Sequence, residues 1–593
     1  MEEPHAEYTT RLAARREAVA GLVRREERIS HLRLGCVIVA GVLAWLGFRH
    51  GLLAPGWALA PLVAFAILVA RHWDTTAARQ RAERAVVFYR RGLARLEGTW
   101  AGAGETGERF RRRTHPYADD LDLFGRGSLF ELLCTARTRA GEETLAAWLL
   151  APAPPDEIRA RQAAVDELRP RLDLREDLAL LGADVRASVD PDALRAWAAA
   201  PIVLRAPWAR YFAPALAAAA VASAVLWALG HQQPLIVVAA LEGLVALVLR
   251  RRVHHVVHAV ERPGRDLRTL AELLARIERE RFTAPRLLAL RDMLDTEGLP
   301  PSRQVARLRR RIDLLDARRN QLFAPVGWLL LWTTQLALSI ESWRSACGPH
   351  VADWLAAAGE LEALCALGGY AGEHPAHPFP TIVEGPPQLD GRGLGHPLLL
   401  ARRCVPNDVR IGRDAPHVLV VSGSNMSGKS TLLRTVGLSA VLAQAGAPVP
   451  AAALTLTPLA VGASIRIQDS LQDGTSHFYA EVMRVKQLVD LASGSPVLLF
   501  VLDELFHGTN SYDRRIGSEA VVRGLLDRGA IGLVTTHDLA IAAVADGLAA
   551  RAANVHFEDE LCDGMMTFDY RVRPGVVTKS NALELMRAVG LEV

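Results

Sequence analysis

Apolar residues along the chain fall into long uninterrupted runs, helical stripes and short β-type clusters. Residues 7–30 are charged, with apolar positions at roughly helical spacing, which predicts an amphipathic helix. Leu34–Phe48 and Leu52–Ala70 follow as two apolar runs separated only by Arg49, His50 and Gly51. A second pair, Tyr211–Leu229 and Pro234–Leu249, flanks the turn His231, Gln232 and Gln233. A bilayer core takes about 20 apolar residues per helix, so each pair has nearly the length of a membrane hairpin. Arginines crowd the outer ends of both pairs: Arg24, Arg25, Arg28 and Arg33 before the first and Arg71 and Arg79 after it, then Arg205 and Arg210 before the second and Arg250, Arg251 and Arg252 after it. The turns inside each pair are nearly uncharged. The positive-inside rule then predicts two hairpins with the rest of the chain in the cytoplasm. The soluble alternative is two buried helical hairpins. Glu242, inside the fourth run, counts toward that alternative because a carboxylate in lipid is costly.

Residues 73–99 predict another charged helix, and 101–108 a glycine-containing linker. Residues 259–322 carry long helical patterns with arginine-rich faces, broken at Pro300 and Pro301; Phe323–Ile340 predicts one buried helix. From about residue 385, short β-type runs alternate with helices, the pattern of a parallel or mixed sheet flanked by helices. The expected organisation is an apolar hairpin region (1–100), a linker (101–118), an all-α core (119–384) holding the second hairpin at 211–249, and an α/β domain (385–593).

Composition changes this picture little. Half the residues are hydrophobic, which fits buried or membrane helices. Lys and Arg total 69 against 65 acidic residues, so net charge gives no case for nucleic acid. Only Lys429, Lys486 and Lys579 are lysines, so a lysine at a demanding position is informative. None of the six cysteines has a partner at metal-ligand spacing, which predicts free thiols and no zinc. The first thirty residues mix both charge signs, so a cleaved signal peptide is not expected.

Val418–Val421 reads as a buried strand. Directly after it comes Gly423, Ser424, Asn425, Met426, Ser427, Gly428, Lys429, Ser430 and Thr431, then a helical stretch. This fits G-x-x-x-x-G-K-[ST] between a strand and a helix, a P-loop. Its glycines let backbone N–H groups turn around phosphate oxygens, and the helix start faces the same anion. Lys429 supplies a compact ammonium to the β- and γ-phosphates, and Ser430 a hydroxyl for Mg²⁺. A second strand pattern, Val497–Leu502, ends in Asp503 and Glu504: the first suits Mg²⁺, the second a general base. A third, Ile531–Thr536, ends in His537, suited to sense the γ-phosphate. In a parallel sheet these carboxyl ends share one edge, where ligands bind. Alone, the acidic strand end would read as a solvated turn and the strand-end histidine as a structural one.

Taken together these elements resemble the MutS branch of the ABC-type ATPases. Gly423–Thr431 is similar to the family's P-loop, and Asp469, Ser470, Leu471, Gly474, Ser476, Phe478 and Glu481 to its signature segment. Asp503, Glu504, Gly508, Thr509, Tyr512 and Asp513 resemble its Walker B and dimer-contact loop, and Thr536–His537 its switch histidine. Upstream, Ser128–Phe130, Thr138, Trp148 and Arg161–Gln162 look like the start of the MutS helical core, and Gly395–Pro397 and Val405–Asp408 like the junction into the ATPase. The resemblance implies ATP with Mg²⁺, hydrolysis to ADP and phosphate, and a homodimer in which Ser476 of one copy approaches the γ-phosphate bound by the other. The chain departs from the family in several places. Residues 1–110 have no counterpart of the mismatch-reading domain, there is no room for the connector, and no helix-turn-helix segment lies before Val593. The hairpin at 211–249 sits where the family builds its levers and clamp. His507 stands where arginine is usual, and Cys404 where an aromatic often meets adenine.

The expected function is a membrane-anchored, multi-pass MutS-like ATPase with its ATPase domain in the cytoplasm. The arginine-rich helices at 259–322 would serve a DNA-associated role, or would simply be solvated faces. The alternative is a membrane-embedded mechanochemical ATPase acting on a protein or lipid partner. Half an ABC transporter is a third reading; the split pairs of spans and the unlike signature count against it.

Overall fold

The computed structural model describes residues 2–50, 55–181, 191–204, 207–231, 233–261, 267–294, 298–316, 323–466, 477–506, 509–537, 548–562 and 565–577. The chain opens with two long helices, α1 (Glu2–His50) and α2 (Leu59–Glu97), packed as an antiparallel hairpin. The polarity change in each predicts separate charged and apolar helices, yet each is one helix. No proline stands at either junction (30–34 or 70–73), and backbone hydrogen bonds propagate across a change of side-chain polarity.

The helical core comprises α3 (Leu129–Leu133), α4 (Arg139–Leu150), α5 (Pro155–Leu168), α6 (Leu172–Leu180) and α7 (Pro191–Ala199). The second hairpin follows as α8 (Pro207–Ala228) and α9 (Gln233–Glu261), then α10 (Leu267–Arg279), α11 (Pro285–Asp292) and α12 (Pro301–Asp316). The expected helix over 323–340 is instead two, α13 (Ala324–Leu329) and α14 (Trp332–Cys347), split where Leu331 takes a left-handed φ of 46°. The core ends in α15 (Val351–Glu373), whose face Trp354, Leu361, Leu364 and Leu367 is fully buried.

The arginine-rich region is amphipathic. Leu270, Leu273, Leu274 and Ile277 of α10 are buried, as are Val305, Leu308, Ile312 and Leu315 of α12, and the two helices pack on each other.

At its base the first hairpin is tied to α6 and α15 by buried polar groups. The Tyr8 hydroxyl donates to Glu373 Oε1 at 3.2 Å, and Arg95 binds the same carboxylate with two N–H groups, Nε to Oε2 at 2.8 Å. Tyr89 donates to Glu176, which Arg15 also meets at 2.8 Å; Arg11 pairs with Asp173. Gly92 of α2 lies against the Tyr8 ring, where a Cβ would come within 2.3 Å of Cε2.

Only one stretch of α8 and one of α9 pack inward. Ala209, Ala213, Ala217, Ala220 and Ser223 are buried on α8, and Glu242, Val245 and Leu249 on α9. This run of small side chains every three or four residues lets the helices approach closely. The outer faces, with Val225, Trp227, Val237, Leu244 and Leu247, are exposed. Helices α1, α8 and α9 each hold a stretch long and apolar enough to cross a membrane. Part of the run 52–70 lies outside the described residues.

The C-terminal part is mixed α/β. β1 (Thr381–Ile382), β2 (Gln388–Leu394), β3 (Asn407–Gly412) and later β5 form a four-stranded sheet in the order β1-β5-β2-β3. β4 (Val418–Ser422) leads into α16 (Lys429–Ala445), followed by β5 (Ala453–Leu456), β6 (Ala460–Ser464), α17 (His477–Leu491), β7 (Leu498–Leu502), α18 (Ser511–Asp527), β8 (Ile531–Thr536), β9 (Ala552–Cys562) and β10 (Met565–Pro574). The larger sheet runs β10-β9-β4-β8-β7-β6, parallel except for the β9–β10 hairpin. β4, β6, β7 and β8 are buried at every position, as strands covered on both faces must be.

Core and sheet share one apolar cluster, reaching from Tyr117 to Phe557. Residues 101–118 join it: Phe110 packs on Phe124 and Phe130, and the Tyr117 hydroxyl donates to the Leu149 carbonyl at 3.0 Å.

Candidate functional site

Parallel strands end at one edge and deliver the site there. β4 ends in the loop 423–428, whose Gly423 and Gly428 have φ of 153° and 106°. At Gly428 a Cβ would stand 3.2 Å from the Tyr570 ring, so the backbone passes close under that ring because the residue is glycine. Lys429 opens α16. Its Nζ donates to the carbonyls of Gly423 (2.8 Å) and Ser424 (2.9 Å) and stands 3.6 Å from Glu504 Oε1. Burial pulls the Lys429 pKa below the ordinary lysine value, while the Glu504 and Asp503 carboxylates act against that shift.

β7 delivers Asp503 and Glu504. The Ser430 hydroxyl donates to Asp503 Oδ2 at 2.5 Å, and Thr535 donates to Oδ1. The Asp503 N–H donates to the Ser464 carbonyl at the end of β6 (2.8 Å). The Glu504 N–H donates to Thr535 Oγ1 (3.1 Å). Glu504 takes a left-handed φ of 46°, a strained conformation of the kind that gathers at functional sites. Its Oε1 lies 3.2 Å from Nδ1 of His537, which β8 delivers. Behind it, buried Glu481 of α17 accepts the Phe506 N–H.

These residues surround a cavity of about 510 Å³. Asn425, Met426, Gly428, Lys429, Ser430, Thr431 and Glu504 line it on one side; His396, Leu399, Arg403, Cys404, Asn407, Phe557 and Tyr570 line the other. Of the second group only Cys404 is placed beside the nucleotide by the sequence, through the resemblance; the others are not legible there as site residues. Asn407 holds the β9–β10 hairpin over the cavity: its Nδ2 donates to the Tyr570 carbonyl (2.9 Å) and its Oδ1 accepts the Val572 N–H (2.8 Å). Tyr570 sits in the register shift of that hairpin with φ 55°. Its ring stands over the loop at the cavity wall. Cys404 instead takes the His396 N–H on its sulfur at 3.2 Å. Nδ1 of His396 accepts from the Leu398 N–H (3.3 Å), and burial pulls its pKa down to about 4, so the ring is neutral.

The donor set fits a triphosphate with a hard cation. The hydroxyls of Ser424 and Ser427 are buried in the loop without a hydrogen-bond partner among the described residues. The Lys429 ammonium rests on carbonyls that phosphate oxygens would replace. Ser430 and Asp503 together present the hydroxyl and carboxylate oxygens that Mg²⁺ prefers. Ser476, His507 and Gly508 lie outside the described residues.

A mixed α/β domain with a glycine-rich loop opening a helix at the sheet's carboxyl edge is thus the class this geometry defines. Residues 419–592 match the family model for MutS domain V. The chain is 35% identical over 218 residues to the endonuclease MutS2 of Thermomicrobium roseum, covering 36% of this chain and 26% of that protein. It is 35% identical over 242 residues to the DNA mismatch repair protein MSH3 of Phaeosphaeria nodorum (40% and 21%), and 35% over 240 residues to the DNA mismatch repair protein MutS 2 of Halobacterium salinarum (40% and 27%). The C-terminal part of the chain therefore carries a domain similar to MutS domain V. The matched region spans about a quarter of the length of these relatives.

Proposed function

We propose that this chain is a membrane-anchored ATPase of the MutS family, with an ABC-type P-loop site that binds ATP and Mg²⁺ and hydrolyses the γ-phosphate. The convergence of Lys429, Ser430, Asp503, Glu504, Thr535 and His537 on one sheet edge carries this reading. Loop N–H groups and Lys429 would bind the phosphates. Mg²⁺, held by Ser430 and Asp503, would neutralise phosphate charge. Glu504 would take a proton from the attacking water as its oxygen bonds to the γ-phosphorus and the bond to the ADP oxygen breaks. His537, beside Glu504, would orient that carboxylate and meet the γ-phosphate. Tyr570 would stack on the base, the role for which Cys404 lacks a ring.

The likeness of the 469–481 segment to the family's signature supports a composite site in which a second copy supplies Ser476, so the active form is a homodimer. Ser476→Ala is expected to lower hydrolysis in assembled dimers while ATP binding by the isolated chain persists. Loss of binding by the isolated chain would contradict the trans role.

The exposed apolar faces of α8 and α9 and the arginines at their outer ends support a lipid bilayer as the surroundings of the second hairpin, with α1 and α2 as the first anchor. The relatives named as DNA mismatch repair proteins make DNA the first partner to test. A motor acting on a protein or lipid partner without DNA is the second reading. It is favoured by α9, which runs unbroken from the exposed apolar face into the core at Val253, Val256, Val257 and Val260. The deciding experiment is the ATPase rate of nanodisc-held protein with and without homoduplex and mismatched DNA, across a salt series. Stimulation that fades with salt supports DNA. Intact basal hydrolysis that ignores every DNA supports the motor.

A further inference from the structure

Glu242 stands in the second hairpin, and neither the ATPase site nor an anchoring role uses its chemistry. It lies eight residues after Pro234 and eight before Arg250. At 1.5 Å per residue that places it about 12 Å from either end of the apolar stretch, mid-depth if the hairpin spans a bilayer, a placement that rests on the membrane reading above. The side chain turns inward: it is 0% exposed, while Leu241 and Leu244 beside it face outward. Neither carboxyl oxygen has a hydrogen-bond partner among the described residues. The inward residues of α8 are alanines, Leu216 and Ser223, whose hydroxyl donates to the Ala219 carbonyl at 2.5 Å.

The packed elements offer no countercharge among the described residues. From Phe212 to Ala228, α8 has no titratable side chain, and α13 has none. On α14, Glu341 and Arg344 pair with each other at 2.7 Å, and Glu341 also accepts the Val203 and Leu204 N–H groups. On α9 itself the next ionisable groups, Arg250, Arg251, Arg252 and His254, come more than two turns later. An isolated carboxylate in such a place is strongly disfavoured, and binding a proton relieves it.

We propose that Glu242 is a proton-binding site inside the second hairpin, filled when α8 and α9 are packed and emptied to water when they part. The exchange is a carboxylic acid and water giving a carboxylate and hydronium. Because α9 continues into the core, the packing of the hairpin and the state of the core are read by the same helix.

The test uses the full chain in nanodiscs and dicyclohexylcarbodiimide, which adds to protonated carboxyl groups in apolar surroundings. Mass spectrometry is expected to find the adduct on Glu242, with labelling that falls at least tenfold between about pH 6 and about pH 9, as a carboxyl group losing its proton requires. In parallel, the thermal midpoint of the wild type should fall with rising pH relative to Glu242→Gln, whose neutral amide keeps the shape and does not titrate. No adduct at any pH, or identical pH dependence of the two proteins, would overturn the assignment. Protection by Na⁺ at fixed pH would overturn it in favour of a cation site. Carbonate-resistant sedimentation with membranes, measured on the same samples, reports the membrane reading separately.

Discussion

Two glutamates, in two regions, are set in opposite surroundings. At the sheet edge Glu504 lies between Lys429 at 3.6 Å and His537 at 3.2 Å, its backbone pinned to Thr535. In the second hairpin the Glu242 carboxyl has no hydrogen-bond partner among the described residues, and the inward face of α8 is mostly alanine with Leu216 and Ser223. The same functional group stands among polar partners in one place and inside apolar packing in the other. The sheet edge is a place to move charge through, and the hairpin a place that rejects it.

The sharpest way to separate them is at Glu504. Glu504→Gln is expected to retain ATP binding and to lower turnover by about 10²–10⁴-fold, the usual worth of a general base; steady-state hydrolysis with equilibrium nucleotide binding checks it. Wild-type hydrolysis would remove Glu504 from the mechanism. On the hairpin side, Leu244→Arg puts a charge on the outward face and should cost about 3–4 kcal/mol of membrane insertion, read as the inserted fraction in a translocation assay. Unchanged insertion would mean that this face does not meet lipid.

A third substitution asks whether the cavity wall tolerates charge. His396 is neutral in the folded protein, with its pKa at about 4 instead of the ordinary 6.5. Its folded form therefore binds fewer protons than the unfolded chain between these values, so stability rises with pH there and is lost on acidification. The wild type should lose up to about 3 kcal/mol between about pH 6.5 and about pH 4. His396→Gln should lose less, as thermal midpoints across a pH series will show. The smallest effect is expected at Thr535→Val. It removes the hydroxyl that donates to Asp503 and accepts the Glu504 N–H, for about 1 kcal/mol of stability by denaturant unfolding.

The two regions were not equally legible in the sequence. Residues 423–431 announce themselves because the loop needs particular residues at fixed spacing, and β7 and β8 do so as unbroken apolar runs with polar ends. Asn407, Phe557 and Tyr570 did not, since they reach the cavity through pairings between segments far apart in the chain. Thr535 was hidden by lying inside an apolar strand, and its function shows only once β7 is its neighbour. The direction of Glu242 was equally out of reach. Periodicity says that a helix is apolar, but a helix apolar on every side gives no clue to which face turns inward. The joining of charged and apolar segments into single helices was missed for the opposite reason: the polarity change was visible and the backbone ignores it. The base of the first hairpin could not be read at all, because Tyr8 and Glu373 stand 365 positions apart.

Gly92 sets what that hairpin can do. With the Tyr8 ring occupying the space a Cβ would need, a shift of α1 by one helical turn would carry the ring from Gly92 to the level of Phe88 or Leu96 and leave an empty notch beside α2. The two helices are keyed in register, like a tooth in a slot. They can tilt or rise together, but sliding past one another at this point is opposed, so an axial displacement of one helix at the base carries the other with it.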